Sequence, residues 1–155
     1  MSSTIETRLA DLGVTLPEAA APAANYVPFV KTGNQLFVSG QLPMSAGKIE
    51  VTGKLGDGLG VDEGKHAAKL CAINLLAQAK AATGDLEKVV RLVKIVGFVN
   101  STGEFADQPQ VINGASDFLV EAMGDKGRHA RSAVSAASLP FGAAVEIEAI
   151  FEIVD

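Results

Sequence analysis

Two side chains in the last quarter of the chain, Arg131 and Glu146, are of types that together can handle a small acid. An arginine presents paired planar donors that match a carboxylate, and a glutamate can take a proton from water. Read as a strand, the run that opens at Arg131 places Arg131, Ala133, Ser135 and Ala137 on one face, and the last three are too small to cover a guanidinium. A recess lined by Arg131 follows. The turn residues Leu139-Pro140-Phe141-Gly142 predict that residues 143–154 fold back as the second strand of a hairpin. Glu146 then faces Ala133 or Ser135, on the same side as Arg131. At ~3.3 Å per residue the two groups lie roughly 7 to 14 Å apart, enough to bracket a small acid and a water. The same residues also fit a plainer reading, a surface salt-bridge ladder that includes Glu148, and simple electrostatics favours that one.

Other motifs carry less chemistry. Gly56-Asp57-Gly58-Leu59-Gly60 lacks the spacing of a dinucleotide loop, and none of the pairs Gly47-Lys48, Gly53-Lys54 and Gly64-Lys65 is followed by the Ser or Thr of a Walker loop. His66 and His129 are the only histidines and Cys71 the only cysteine, too few for a structural zinc site, so no metal and no cofactor is expected. Cys71 falls on an Ala-rich helix face and reads as a small core residue. Asn100-Ser101-Thr102 matches a glycosylation sequon but reads as a turn.

The elements that must position these residues are legible in outline. Ser3 to Glu6 fits a capping box before a short helix with Ile5, Leu9 and Leu12 on one side. A Pro- and Ala-containing stretch, 16–24, leads to a strand at 35–39 entered through the Gly33-Asn34 turn, and a second short strand fits 48–51. After a glycine-dense loop, Asp62 can cap a long helix whose Ala68, Cys71, Ala72, Leu75, Ala79 and Ala82 form an apolar face, and Gly84 ends it. The latter part of 89–99 reads as a strand and 111–123 as a second helix. In the last strand Val145, Ile147, Ala149 and Phe151 alternate with Glu146, Glu148 and Glu152, so helices should cover the first set. These expectations describe one α+β domain, 1–155, in which 1–20 form an N-terminal extension. Its sheet is mixed but mostly antiparallel, with two main helices packed on one face and the other face left for water or another subunit.

Composition narrows the partners. A lone cysteine and a start without basic or apolar character predict a reducing, cytoplasmic setting, and charges interrupt every apolar stretch before the ~18 residues of a membrane span. A net charge of -5, no basic run, no Trp and one tyrosine, Tyr26, argue against nucleic acid.

Several separated stretches, in order, resemble the RidA (YjgF) family. They are Tyr26, Gly33-Asn34 and Ser39-Gly40-Gln41-Leu42-Pro43; then Phe98-Val99, Phe105-Ala106 and Asn113; then Ala130-Arg131-Ser132-Ala133-Val134, Leu139-Pro140 and Val145-Glu146-Ile147-Glu148-Ala149-Ile150. The resemblance implies a chorismate-mutase-like fold, homotrimers with ligand clefts between subunits, and hydrolysis of reactive 2-imino acids to 2-oxo acids and ammonia. In that frame Arg131 clamps the substrate carboxylate and Glu146 orients or deprotonates the attacking water, while Tyr26, Ser39, Gly40, Asn113 and Ala133 line the cleft. A regulatory trimer that binds small carboxylates without turnover is the alternative, and a ribonuclease that inhibits translation comes last. This chain carries His129 where the family usually has Pro or a small residue, and Ala133 where Cys is frequent.

Overall fold

The computed structural model describes residues 4–21 and 24–154. A short helix, α1 (Ile5–Asp11), is followed by strands β1 (Phe29–Thr32), β2 (Gln35–Gln41), β3 (Met44–Ser45), β4 (Lys48–Ile49), β5 (Lys54–Leu55) and β6 (Gly58–Leu59). The long helix α2 (Val61–Thr83), strand β7 (Val89–Asn100), helix α3 (Gln108–Met123) and strands β8 (Ala130–Ala136) and β9 (Val145–Ile153) complete the order. Five strands form the main sheet in the order β1-β2-β9-β7-β8, antiparallel throughout except for the parallel pair β7 and β8. Helices α2 and α3 pack on each other and on one face of this sheet, which makes the fold α+β with a mixed sheet.

That strand order corrects the expected C-terminal hairpin. The turn chemistry is real, since Pro140–Gly142 form a tight turn with Phe141 at φ 58 and Gly142 at φ 72, but β8 and β9 are not neighbours. Between them runs β7, twelve residues long, which pairs with β9 along one edge and, over 94–100, with β8 along the other. A parallel pair needs a crossover connection, and α3 supplies it. Turn residues report only that the chain reverses; which strand it then joins is decided by longer-range pairing.

Local signals elsewhere were shifted by a residue or two, and each shift has a cause. Ser3 of the expected capping box lies outside the described residues. The side chain that caps α1 is Thr4, which accepts from the Thr7 N–H, and Leu12 is not part of the buried side but the exposed C-cap. Asp62 sits in the first turn of α2 rather than capping it; the N-cap is Gly60, whose N–H donates to Glu63 Oε1 at 3.0 Å. The strand expected at 48–51 is only Lys48–Ile49, paired with Met44–Ser45, and the glycine-dense loop carries the small parallel pair β5 and β6. Gly84 ends α2 in the left-handed region as its position implied.

Apolar periodicity explains the core. β9 alternates as read, with Val145, Ile147, Ala149, Phe151 and Ile153 buried, and these meet Leu75, Cys71 and Ala68 of α2 within one cluster that runs from Ile5 to Ile153. Two glycines allow the layers to approach. A Cβ on Gly97 of β7 would stand 2.4 Å from Ile112 Cδ1, and one on Gly114 of α3 would stand 2.2 Å from the Lys65 carbonyl oxygen of α2. No described helix is long and apolar enough to cross a membrane.

The Gly114 contact yields a test. In an open helix Gly→Ala stabilises by roughly 0.5–1 kcal/mol. Here the new methyl group meets rigid backbone, so Gly114→Ala should instead destabilise by about 1–3 kcal/mol, as overpacking does. Chemical denaturation should show that loss, while Gly103→Ala, with no heavy atom within 4 Å of the added carbon, should leave the midpoint nearly unchanged.

Candidate functional site

The seven residues singled out from the sequence fall into two groups. The first gathers around a break in the β2–β9 pairing. Val38 pairs with Ala149 and Gln41 with Ile147, so β2 spends one more residue than β9 over this interval, a β-bulge at Ser39 and Gly40. A bulge bends its strand and re-aims side chains. Gly40 thereby comes against Glu146 so closely that a Cβ there would lie 2.3 Å from Glu146 Oε2. Ser39 Oγ donates to the Val27 carbonyl at 3.1 Å, which ties the bulge to the segment carrying Tyr26. Tyr26, Ser39 and Gly40 line a cavity of about 790 Å³ whose other walls include Pro17, Glu18, Met44 and the exposed Phe141.

The second group sits at the other edge of the sheet. In the register of β7 with β8, Arg131 pairs with the buried Ile95 and Ala133 with Gly97, so both point toward the helices. Arg131 reaches α3 and donates from Nη1 to Ser116 Oγ and from Nη2 to the Pro109 carbonyl, each at 3.1 Å. Asn113, half-buried, lies on α3 between those two anchor points, four residues after Pro109 and three before Ser116, on the same side of the helix.

Glu146 pairs with Phe98, which pairs in turn with Val134, so its side chain belongs to the opposite face of the sheet. The expectation that Arg131 and Glu146 share a face within one chain is therefore corrected, and the reason is the intervening β7, which shifts the parity of the pairing. The plainer reading fails as well. Among the described residues neither Arg131, Glu146 nor Glu148 joins an ion pair, so no salt-bridge ladder forms within the chain.

Electrostatics separates the groups further. Burial raises the Glu146 carboxyl above its ordinary value, and the like charge of Glu148, two residues on and on the same face, adds to the effect. Burial also holds the Cys71 thiol well above its usual range, with the charge of Glu146 second, and its Sγ lies 3.6 Å from the Val145 carbonyl. Cys71 is a buried core thiol on the Ala-rich face of α2. Among the described residues no group of three or more His, Cys, Asp or Glu is placed to hold a metal ion.

With this geometry, residues 6–152 match the family model described as "YjgF/chorismate_mutase-like, putative endoribonuclease". The chain belongs to the YjgF (RidA) family. Protein TCP17 of Trypanosoma cruzi is 50% identical over 153 residues, 98% of this chain and 96% of that protein. A crystal structure of the Agrobacterium tumefaciens protein Atu1372, described as of unknown function, shares 57% identity and a TM-score of 0.91, covering 97% of this chain and 92% of the other. RidA from the Antarctic bacterium Psychrobacter sp. PAMC 21119 shares 29% identity and a TM-score of 0.63 over 88% of this chain and 94% of its own. Within the YjgF family the chain thus superposes more closely on the Atu1372 protein than on that RidA.

Three residues near the site had no legible role in the sequence. Asn74 is buried on α2 and donates from Nδ2 to the Leu42 and Met44 carbonyls at 3.0 Å, fixing one wall of the cavity. Phe141 reads from the sequence only as a turn residue, yet it stands exposed on the wall of this cavity. Ser116, which holds Arg131, had no motif at all; a polar residue at helical spacing from Asn113 was the sole signal.

Gly40→Ala tests the first group. The atom it would strike is the end of a flexible side chain, so the fold should survive with a nearly unchanged melting curve while the Glu146 carboxylate is driven out of place. A crystal structure of the variant should show that carboxylate displaced by the ~1 Å needed to restore van der Waals contact.

Proposed function

We propose that the chain hydrolyses small 2-imino acids to 2-oxo acids and ammonia, in a homotrimer whose sites each join the Arg131 edge of one subunit to the Glu146 face of the next. The observation that carries this reading is the division of the candidate residues: Asn113, Arg131 and Ala133 lie at the β8 edge on the helix side, while Glu146 lies on the opposite face with Gly40 against it, next to the cavity that Tyr26 and Ser39 line. Each half is incomplete. One has a cation with donors to spare and the other a carboxylate with a raised pKa and, among the described residues, no cationic partner. The outward sheet face also exposes Val30, Phe37 and Val134, apolar surface that a second copy would cover.

The chemistry follows from the groups. Arg131 uses one donor on each Nη to grip α3, which leaves further N–H groups for the substrate carboxylate. Glu146 takes a proton from a water that adds to the imine carbon, forming a tetrahedral carbinolamine. The same carboxyl returns that proton to nitrogen, then relays the hydroxyl proton to nitrogen as the carbon–nitrogen bond breaks, so ammonia leaves as the carbon–oxygen double bond closes. A raised pKa brings Glu146 closer to the working pH than an ordinary carboxylate, which favours proton transfer in both directions. A binder without turnover would need Arg131 but not the base. The family description also names an endoribonuclease, yet a net charge of -5 provides little phosphate neutralisation.

Complementation tests the shared site. Arg131→Ala and Glu146→Gln should each lower imine hydrolysis roughly 100-fold or more while light scattering still reports trimers. Unfolded together in equal amounts and refolded, the two variants should recover about one quarter of the parent activity, since random assembly gives that share of sites an intact pair. No recovery would place both groups in one subunit. Arg131→Lys, which keeps the charge but not the planar fork, should fail nearly as badly as the alanine variant.

The pH profile tests the base. Activity should fall on the acid side as Glu146 takes up its proton, at a pH above the ordinary glutamate range. Glu148→Gln removes the neighbouring negative charge, lowers the Glu146 pKa and should shift that limb toward lower pH. A limb unmoved by this substitution would count against Glu146 as the base.

A further inference from the structure

We propose that His129, acting through Ser116, is the positioning residue that holds the Arg131 guanidinium ready for its ligand. This rests on Arg131 being the anion clamp of the proposed site. The side chains form a continuous chain of hydrogen bonds. His129 Nδ1 lies 2.6 Å from the Gly127 carbonyl, His129 Nε2 lies 2.8 Å from Ser116 Oγ, and Ser116 Oγ accepts from Arg131 Nη1 at 3.1 Å.

The direction of each bond is fixed by chemistry. A carbonyl oxygen only accepts, so Nδ1 carries the ring hydrogen. In the neutral imidazole Nε2 is then bare and accepts the Ser116 hydroxyl, whose remaining lone pairs face the arginine. A serine whose proton is drawn toward the histidine is a better acceptor for the guanidinium, and its rotor is held in one orientation. The Gly127 carbonyl belongs to the Gly124–Gly127 turn, which packs on α3; Gly127 sits so close to Leu119 that a Cβ there would lie 2.4 Å from the Leu119 carbonyl oxygen. The far end of the chain is therefore anchored on rigid backbone. The second donor of Arg131, to the Pro109 carbonyl, fixes only one corner of the fork, and the Ser116 contact sets its rotation.

The surroundings favour the neutral ring. Burial lowers the His129 pKa, the Gly127 bond opposes this, and the charge of Arg131 adds to the lowering. Of the charged groups on the neighbouring elements, Arg131 on β8, Asp117 on α3 and Asp125, Lys126 and Arg128 around the turn, Arg131 is the one that acts on the ring.

Two conservative variants separate positioning from mere packing. His129→Gln places an amide oxygen where Nε2 stands, so Ser116 keeps an acceptor. His129→Asn reaches the Gly127 carbonyl but not Ser116. The first measurement needs no ligand: in protein labelled with ¹⁵N-arginine, the Arg131 Nε–H should give a dispersed, slowly exchanging signal in the parent and in His129→Gln. In His129→Asn and Ser116→Ala it should collapse toward the free-arginine position. The second is calorimetry with 2-oxobutanoate, where His129→Asn and Ser116→Ala should each weaken binding roughly 10-fold and His129→Gln should not, the loss expected for one hydrogen bond to a charged group. In an Arg131→Ala background His129→Asn should add no further loss. An Arg131 signal that is the same in the parent and in both His129 variants overturns the proposal. If the signals behave as expected but the parent does not bind 2-oxobutanoate, the positioning role stands and the substrate assignment falls.

Discussion

The arrangement of this protein depends on β7 having hydrogen-bonding partners along both edges. A central strand of twelve residues takes β9 antiparallel on one side and β8 parallel on the other, and the parallel pairing forces the chain through α3 before β8 can start. Because α3 is the crossover, it lies directly over the edge where β8 emerges. Arg131, second residue of that strand and facing the helices, has no direction to extend except along α3, and it is captured there by Ser116 and Pro109. The position of the guanidinium is a consequence of topology before it is a consequence of any particular contact.

The same pairing keeps the opposite charges apart. A carboxylate and a guanidinium on one sheet face would neutralise each other at short range and leave neither for a ligand. Separated by β7 and by the sheet itself, Glu146 has only burial and the like charge of Glu148 to answer to, and both raise its pKa. An unpaired, half-buried acid and an unpaired cation are costly to maintain within one chain, and such groups are characteristic of functional sites rather than of stable surfaces. Their placement at opposite faces is compatible with a site completed by another subunit and with no other intrachain partner among the described residues.

Close approach is the second requirement, and it is met by missing side chains. Gly40 lets β2 lie against the Glu146 carboxylate at a bulge, Gly97 admits Ile112 to the sheet, and Gly114 admits the backbone of α2 to α3. In each case a single Cβ would occupy space already filled, so these glycines mark where layers touch rather than where the chain turns.

What the sequence by itself determined was local. Period-two alternation in β9, the Ala-rich face of α2 and the burial of Cys71 can be read from residue types, because burial follows hydrophobicity and side chains alternate by backbone geometry. Membership of the family was legible because the motifs that carry the resemblance occur in a recognisable order, and the candidate site residues come from those motifs. What only the tertiary structure decided was pairing. Pro140 and Gly142 announce a reversal, but a turn carries no record of which strand lies beside the next one, and the hydrogen bonds of β7 are indifferent to sequence distance. That one non-local choice moved Arg131 and Glu146 to opposite faces of the sheet and placed Ser116 and His129 behind the guanidinium, although the chain order alone would have put the two candidate groups in one place.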